Sequence, residues 1–220
     1  VTLVEAISEG IENAKTNTGI EGRIVVTGVR HSGVEAVTMA AQLAANNPHP
    51  LVTGFGIAGD ERMYQPSDFS YAFDIARDAG LGLTAHAGEF GGPESVREAI
   101  NHLKVGRIGH GVRAIEDSDL VKRLADEQIV LEVCPASNVV LNVYEDYSHH
   151  PLKKLQEAGC VVTISSDDPP HFHTSLENEY SIAANEFGFG QEDLLNFTRN
   201  SIQAAFVDGE TRKQMLEKLS

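Results

Sequence analysis

The chain has 220 residues, of which 41% are hydrophobic and 22% charged, and its formal net charge is −15. This length allows a sizeable buried core, and no apolar run is long enough to cross a bilayer. The excess of 32 acidic over 17 basic residues argues against a nucleic-acid backbone or an anionic membrane as partner. There are only two cysteines and no Cys-x-x-Cys pair, so we expect reduced thiols, no signal peptide and a cytoplasmic protein.

Strands and helices alternate along the chain. Short apolar runs bounded by glycine, proline or polar residues predict strands at 23–29, 51–57, 81–86, 107–110, 129–134 and 160–164. Helical spacing and capping residues predict helices at about 3–14, 32–46, 67–79, 117–127, 151–158, 175–187, 192–205 and 210–219, and one that opens at Gly92-Pro93. Helices in nearly every gap between strands indicate a parallel sheet that is buried on both faces.

Two architectures fit this βα repeat, a doubly wound sheet and a (β/α)8 TIM barrel. No Gly-x-Gly-x-x-Gly follows the first strand, which weakens the nucleotide-binding version of the doubly wound sheet. A barrel has eight βα units, and about six are recognisable. Because the chain begins with Val1 inside a helical pattern, we expect residues 1–220 to be a single barrel domain that lacks its N-terminal part. The first and last predicted strands would then be open edges.

Titratable side chains stand at the ends of several predicted strands. The third strand ends at His86 and the fourth at His110, and the sixth is followed by Asp167 and Asp168. An Asp-Asp pair before two prolines also fits a solvated turn. Parallel α/β folds place their functional residues at the carboxyl ends of strands, however, so histidines and acids at equivalent ends favour a site.

These residue types suit a hydrolytic metal site. Imidazole and carboxylate are ligands of catalytic zinc, which lowers the pKa of bound water from 15.7 toward about 7. His86 and Asp167 suit the metal, and Glu89 suits proton delivery to the group under attack. His110 suits the hydroxide, either through a supporting contact or through direct proton transfer. Two protein ligands are fewer than the usual catalytic count.

The strand ends also carry recognisable motifs, which are Ala58-Gly59-Asp60-Glu61, Thr84-Ala85-His86-Ala87-Gly88-Glu89, Arg107-Ile108-Gly109-His110-Gly111, Glu132-Val133-Cys134-Pro135-Ala136-Ser137-Asn138 and Ser166-Asp167-Asp168-Pro169. In order and spacing these stretches resemble the adenosine deaminase family, the adenosine and adenine deaminases of the metal-dependent hydrolase superfamily. The resemblance runs from about residue 20 to the C-terminus. It implies a (β/α)8 barrel with one Zn²⁺ per chain that removes the amino group from an adenine-type base.

The resemblance also implies roles for individual residues. It implies that His86 and Asp167 are zinc ligands and that Glu89 protonates ring N1 as C6 is attacked. It further implies that His110 orients and deprotonates the zinc-bound water. These roles agree with what the residue types suggest.

Further implied residues concern the substrate and the missing ligands. The resemblance implies that Asp168 contacts purine N7 and that the backbone N–H of Gly59 contacts N3. The family's first strand supplies two more zinc ligands from a His-x-His pair, and this sequence has no such strand. We therefore expect the missing βα units and the missing ligands to lie upstream of Val1.

The expected substrate is adenosine or 2′-deoxyadenosine, converted to inosine or 2′-deoxyinosine with release of ammonia. Residues 108–111 resemble the nucleoside-specific branch, whereas Asn138 and residues 168–172 are also similar to adenine deaminases. Adenine, or another adenine-bearing metabolite, is therefore the alternative substrate. The His-x-Glu and Pro-Cys-x-x-Cys signature of cytidine-type deaminases is absent, and the sequence leaves the oligomeric state open.

Two other hypotheses remain at this stage. The chain could be a non-catalytic purine-binding homologue, or a different metal-dependent hydrolase on the same barrel. Two-metal hydrolases of this kind commonly use a bridging lysine, and no predicted strand ends in one. His171 and His173 are expected to shape the mouth of the pocket or to be exposed. Residues 149–151 are expected to lead into a helix.

Overall fold

The computed structural model describes residues 2–219. Strands β1 to β6 are Ile24–Val29, Val52–Ala58, Gly82–Ala87, Arg107–His110, Val130–Val133 and Val161–Ile164. Helices α1 to α11 are Leu3–Thr18, Val34–Asn46, Ser70–Asp78, Gly92–Glu98, Ser118–Asp126, Pro135–Val140, Leu152–Glu157, Pro169–Phe172, Leu176–Asn185, Gln191–Ala204 and Gly209–Glu217. All six predicted strands are confirmed within one or two residues.

The strands form one parallel sheet in chain order, β1-β2-β3-β4-β5-β6. Each strand pairs with the next along the chain, and helices occupy the connections between them. Within residues 2–219, β1 and β6 each pair with one strand only. The predicted α/β class and the predicted edge strands are thus confirmed for the part of the chain that is described.

The core lies between the sheet and the helices that cover it. Phe55, Ile108, Leu131 and Val162 come from four different strands and are fully buried. They pack in one continuous apolar cluster with helix residues such as Phe73. Burial of each such side chain stabilises the fold by roughly 1.5–3 kcal/mol. Burial on both faces explains why these strands read as continuous apolar runs.

One aromatic ring closes the amino-terminal end of the sheet. Phe206, which follows α10, packs so closely on β2 and β3 that a Cβ atom would lie 2.7 Å from its ring at Gly54 and closer still at Gly82. The guanidinium of Arg107 lies over the same ring, 3.6 Å from its centroid. Both glycines are therefore required by packing, and the opposite, carboxyl-terminal end of the sheet carries the polar residues.

Helices α6 and α8 differ from the sequence prediction. The prolines at positions 135 and 169–170 were expected only to end strands, but each occupies the first turn of a short helix. Proline fits there because its fixed φ is helical and its missing N–H needs no partner. No helix within residues 2–219 is long and apolar enough to cross a bilayer, and Cys134 and Cys160 are both free and buried.

Candidate active site

Four of the predicted site residues meet at the carboxyl-terminal ends of the strands. His86 belongs to β3, Glu89 follows that strand, His110 ends β4 and Asp167 follows β6. The rings of His86 and His110 meet edge to face, with their centroids 4.9 Å apart. Nε2 of His110 lies 3.7 Å from Oε1 of Glu89 and 3.8 Å from Oδ2 of Asp167. His110 is thus at the centre of the group.

The backbone is adapted to bring these side chains together. A Cβ atom at residue 109 would lie 2.7 Å from Nδ1 of His86, so glycine makes room for the ring. His110 and Asp167 adopt left-handed conformations, with φ of 61° and 53°. Such φ values are uncommon for residues other than glycine, and they turn both side chains away from the direction of the strand.

His110 is held as a neutral imidazole. Only 2% of its surface is exposed, and this burial lowers the pKa of His110 well below its usual value, with further lowering from His86 and His150. A neutral ring can donate a hydrogen bond from one nitrogen and accept at the other. It is therefore suited to direct a water molecule rather than to act as a fixed charge.

The pKa of Glu89 is shifted upward, so this carboxyl group tends to keep its proton. Burial raises the pKa of Glu89 to about 7, helped by the negative charges of Asp167 and Glu61 and opposed by the hydrogen bond from Asn138. A carboxyl group with this pKa is protonated in a large fraction of molecules at neutral pH. Its pKa matches what a general acid needs near neutrality.

The chemistry of this cluster fits a zinc-type cation. Ligating atoms of His110, Cys134 and Asp167 all lie within 4.8 Å of one another. Of these three residues only Asp167 is a predicted zinc ligand; the other predicted ligand, His86, is outside this group, with its ring packed against that of His110. Burial and the charge of Asp167 raise the pKa of Cys134 well above its usual value, so this residue is a neutral thiol. The Ser137 hydroxyl donates a 2.8 Å hydrogen bond to Oδ2 of Asp167 and orients the carboxylate, as supporting groups around metal sites do.

Gly59 and Asp168, the two residues predicted to contact the substrate, lie on the rim, by which we mean the loops at the carboxyl-terminal ends of the strands. Gly59 follows β2 with φ of 106°, and a Cβ atom there would lie 2.8 Å from Nδ1 of His31. Asp168 precedes α8, and its carbonyl accepts hydrogen bonds from the N–H groups of His171 and Phe172. Both Gly59 and Asp168 are solvent-exposed.

Glu61 supports the Glu89 loop, a role that sequence reasoning missed. Its carboxylate accepts hydrogen bonds from the N–H groups of residues 88–91 and from the Ser95 hydroxyl. Burial alone raises the pKa of Glu61, but these hydrogen bonds outweigh burial and the net pKa is lowered. The buried carboxylate therefore stays charged and fixes the loop that carries Glu89.

Asn138 and His150 form a second support that was missed. Nδ2 of Asn138 lies 3.2 Å from Nδ1 of His110 and 3.4 Å from Oε1 of Glu89. Nε2 of His150 lies 3.1 Å from Oδ1 of Asn138. Position 150 was expected only to lead into a helix, and local pattern carries no sign of a contact with a residue twelve positions earlier. Its burial among aromatic rings could not be read from the sequence.

Acid should weaken the fold through His150. Burial lowers the pKa of His150 to about 3, whereas an unfolded histidine titrates near 6.5. Below pH 6.5 the unfolded chain therefore binds a proton that the folded chain takes up only near pH 3. The stability contribution is present above pH 6.5 and is lost as the pH falls. We expect a loss on the order of 1.4 kcal/mol per pH unit between these limits.

The measurement is urea unfolding at several pH values between neutrality and about pH 5. The control is His150→Gln, which cannot titrate while every other acid and base remains. The natural protein should lose stability faster than the variant on acidification. A difference in unfolding free energy that stays constant with pH would contradict the assignment.

Parallel βα units that present imidazole and carboxylate groups at the carboxyl ends of the strands are the arrangement of a metal-dependent hydrolase. The model of the adenosine deaminase family matches residues 1–220. The chain belongs to the adenosine deaminase family.

Relatives of known name and structure agree with this assignment. An adenine deaminase from Chelativorans sp. (strain BNC1) is 59% identical over 215 residues, which are 98% of this chain and 66% of the relative. The crystal structure of an adenine deaminase from Arthrobacter aurescens is 29% identical with a TM-score of 0.90, over 97% of this chain and 65% of that one. A zinc-bound amidohydrolase from Burkholderia ambifaria is 28% identical with a TM-score of 0.87, over 98% and 63%. The chain spans about two thirds of the length of these relatives.

Proposed function

We propose that this chain carries the catalytic rim of an adenine deaminase, which hydrolyses adenine to hypoxanthine and ammonia. The observation that carries the proposal is the identity of 56–59% to proteins named adenine deaminase. The names of these relatives favour adenine, the alternative substrate, over adenosine, the expected one. Free, buried cysteines support a reducing compartment, and we place the enzyme in the cytoplasm.

Zinc is the metal that the donor set supports. His86 and Asp167 would hold it together with at least one further ligand, since catalytic zinc usually has three protein ligands. The zinc-bound relative supports the same element. When bound, zinc supplies a water molecule of lowered pKa at neutral pH. We assign contact with that water to His110, and the position of its Nε2, within 4 Å of the Asp167 carboxylate, supports this role.

Glu89 is the proposed general acid. Attack of water at C6 of the purine pushes electrons onto N1, and a proton from Glu89 neutralises that nitrogen. The attacking water gives up both of its protons. One passes to the amino group, so that the C6–N bond breaks and ammonia leaves, and the other restores Glu89, while the water oxygen remains on C6 of the product. The pKa of about 7 that burial gives Glu89 leaves a proton available for this step near neutral pH.

Gly59 and Asp168 are the proposed contacts for the base. The Gly59 N–H would meet purine N3, and the Asp168 carboxyl would meet N7. Their exposed positions on the rim, at the ends of β2 and β6, support contacts with a small molecule that enters from solvent. No part of this proposal involves a nucleic acid or a membrane.

A substrate panel tests the function. The full-length protein, loaded with zinc, is incubated with adenine, adenosine and 2′-deoxyadenosine, and ammonia release is measured beside the ultraviolet change. We expect adenine to have the highest kcat/KM, and chelation of the metal to abolish turnover. A preference for adenosine would overturn the substrate, and zinc-loaded protein without turnover of any aminopurine would overturn the enzyme.

A further inference from the structure

A hydrogen-bond chain with a fixed direction leads from the backbone into the site. It starts at the N–H of Leu152, which lies 3.2 Å from Nδ1 of His150. A backbone N–H can only donate, so Nδ1 of His150 must accept. The His150 ring is 5% exposed and is neutral, because burial lowers its pKa to about 3. Its single ring proton is therefore on Nε2.

The next hydrogen bond in this chain runs from His150 to Asn138. Nε2–H of His150 donates to Oδ1 of Asn138 over 3.1 Å, which fixes the orientation of the amide. Its Nδ2 group then faces Nδ1 of His110 at 3.2 Å and Oε1 of Glu89 at 3.4 Å. Asn138 is fully buried, and the rings of Tyr144 and Phe187 pack edge to face on His150. The amide therefore has no solvent partner to stabilise the opposite orientation.

The hydrogen-bond chain ends on the two groups assigned to the chemistry. Nδ1 of His110 accepts from the Asn138 amide, and a ring nitrogen that accepts carries no proton, so the ring proton is on Nε2. Oε1 of Glu89 faces the Asn138 amide and, at 3.7 Å, Nε2 of His110. Because the Asn138 amide donates to Oε1, that oxygen is an acceptor, and the acidic proton of Glu89 is on Oε2.

We propose that His150 and Asn138 are positioning residues which determine that His110 carries its proton on Nε2 and that Glu89 carries its proton on Oε2. His110 then meets the attacking water as a hydrogen-bond donor and orients it, whereas the resemblance to the family implied a base at this position. Glu89 keeps its proton on the oxygen that faces away from the network. The consequence for catalysis rests on the proposed function, but the position of the His110 proton does not.

The first test needs no substrate and no variant. In protein labelled with ¹⁵N in its histidines, long-range ¹H–¹⁵N spectra distinguish a protonated ring nitrogen from an unprotonated one. The full-length protein with its metal bound, at neutral pH, should show His110 with a protonated Nε2 and an unprotonated Nδ1. A His110 ring protonated on Nδ1 would overturn the proposal, whether or not adenine is turned over.

A matched pair of variants tests the role of His150. His150→Gln keeps an N–H donor for Oδ1 of Asn138, whereas His150→Met has similar length and no donor. We expect the Met variant to lose the single His110 tautomer and about 10- to 100-fold in kcat with little change in KM, as for other residues that orient site groups. The Gln variant should keep the natural tautomer and most of the kcat.

Two outcomes would contradict this role. One is the same His110 tautomer in both variants, and the other is an equal loss of kcat in both. If the Met variant fails to fold, Asn138→Asp provides a second test. Aspartate has the same shape as asparagine, but its carboxylate can only accept hydrogen bonds. It should move the His110 proton to Nδ1, and a proton that remains on Nε2 would refute the proposal.

Discussion

Replacement of Glu89 by glutamine is expected to reduce kcat for adenine by about 10²- to 10⁴-fold, the usual contribution of a general acid. Glutamine keeps the shape of the side chain and an oxygen that can accept from Asn138, but it has no acidic proton for the purine ring. Because Glu89 is not assigned to the metal, zinc content should stay at that of the natural protein. The measurements are steady-state kinetics and metal analysis on the same preparation.

Glu94→Gln is the matched control, since this glutamate lies five residues further along the chain with 77% of its side chain exposed. It should leave kcat unchanged. Near-normal turnover in Glu89→Gln would remove Glu89 from the mechanism. A loss of zinc in that variant would instead assign Glu89 to the metal.

Removal of the Glu61 carboxylate is expected to have the largest effect on stability. Four backbone N–H groups of residues 88–91 donate to it. Those of Gly88 and Glu89 are buried, and each of these two costs about 1–3 kcal/mol when it is left without a partner. Glu61→Ala should therefore lower the free energy of unfolding by at least about 2 kcal/mol, a substantial part of a typical total of 5–15 kcal/mol. Urea unfolding measures this loss.

Two further variants serve as comparisons for Glu61→Ala. Glu61→Gln keeps one carbonyl oxygen and should lose about half as much, because its amide cannot accept from the remaining N–H groups. Glu157→Ala removes an exposed glutamate at the end of α7 and should change stability by less than about 0.5 kcal/mol. If Glu61→Ala were as stable as Glu157→Ala, the carboxylate would not hold the loop.

The strands and long helices could be predicted because their signals are local. Runs such as residues 51–57 and 160–164 are apolar on both faces, and capping residues such as Asp117 mark the helix starts. The parallel sheet followed from the βα repeat, and the meeting of His86, Glu89, His110 and Asp167 followed from the carboxyl ends of parallel strands. The roles of these four residues are still predictions.

The supports of the site could not be predicted, because they depend on contacts between distant parts of the chain. Glu61 acts on a loop 27 to 30 residues later, and His150 acts on Asn138 through a ring whose burial is decided by packing. Gly109 and the left-handed φ of His110 depend in the same way on the neighbouring strand. Short helices that begin with proline were read as breaks, since the same residue serves both purposes.

His110 and Asp167 have left-handed backbone conformations that lower stability, and both residues have proposed roles in activity. Such conformations cost on the order of 1–3 kcal/mol for side chains other than glycine, so glycine at either position would relax the backbone. The same change would delete the imidazole or the carboxylate. If His110 and Asp167 have the roles proposed above, glycine at either position would gain stability and lose activity. Efforts to stabilise this protein should therefore hold both positions constant and look for gains in the helices that cover the sheet.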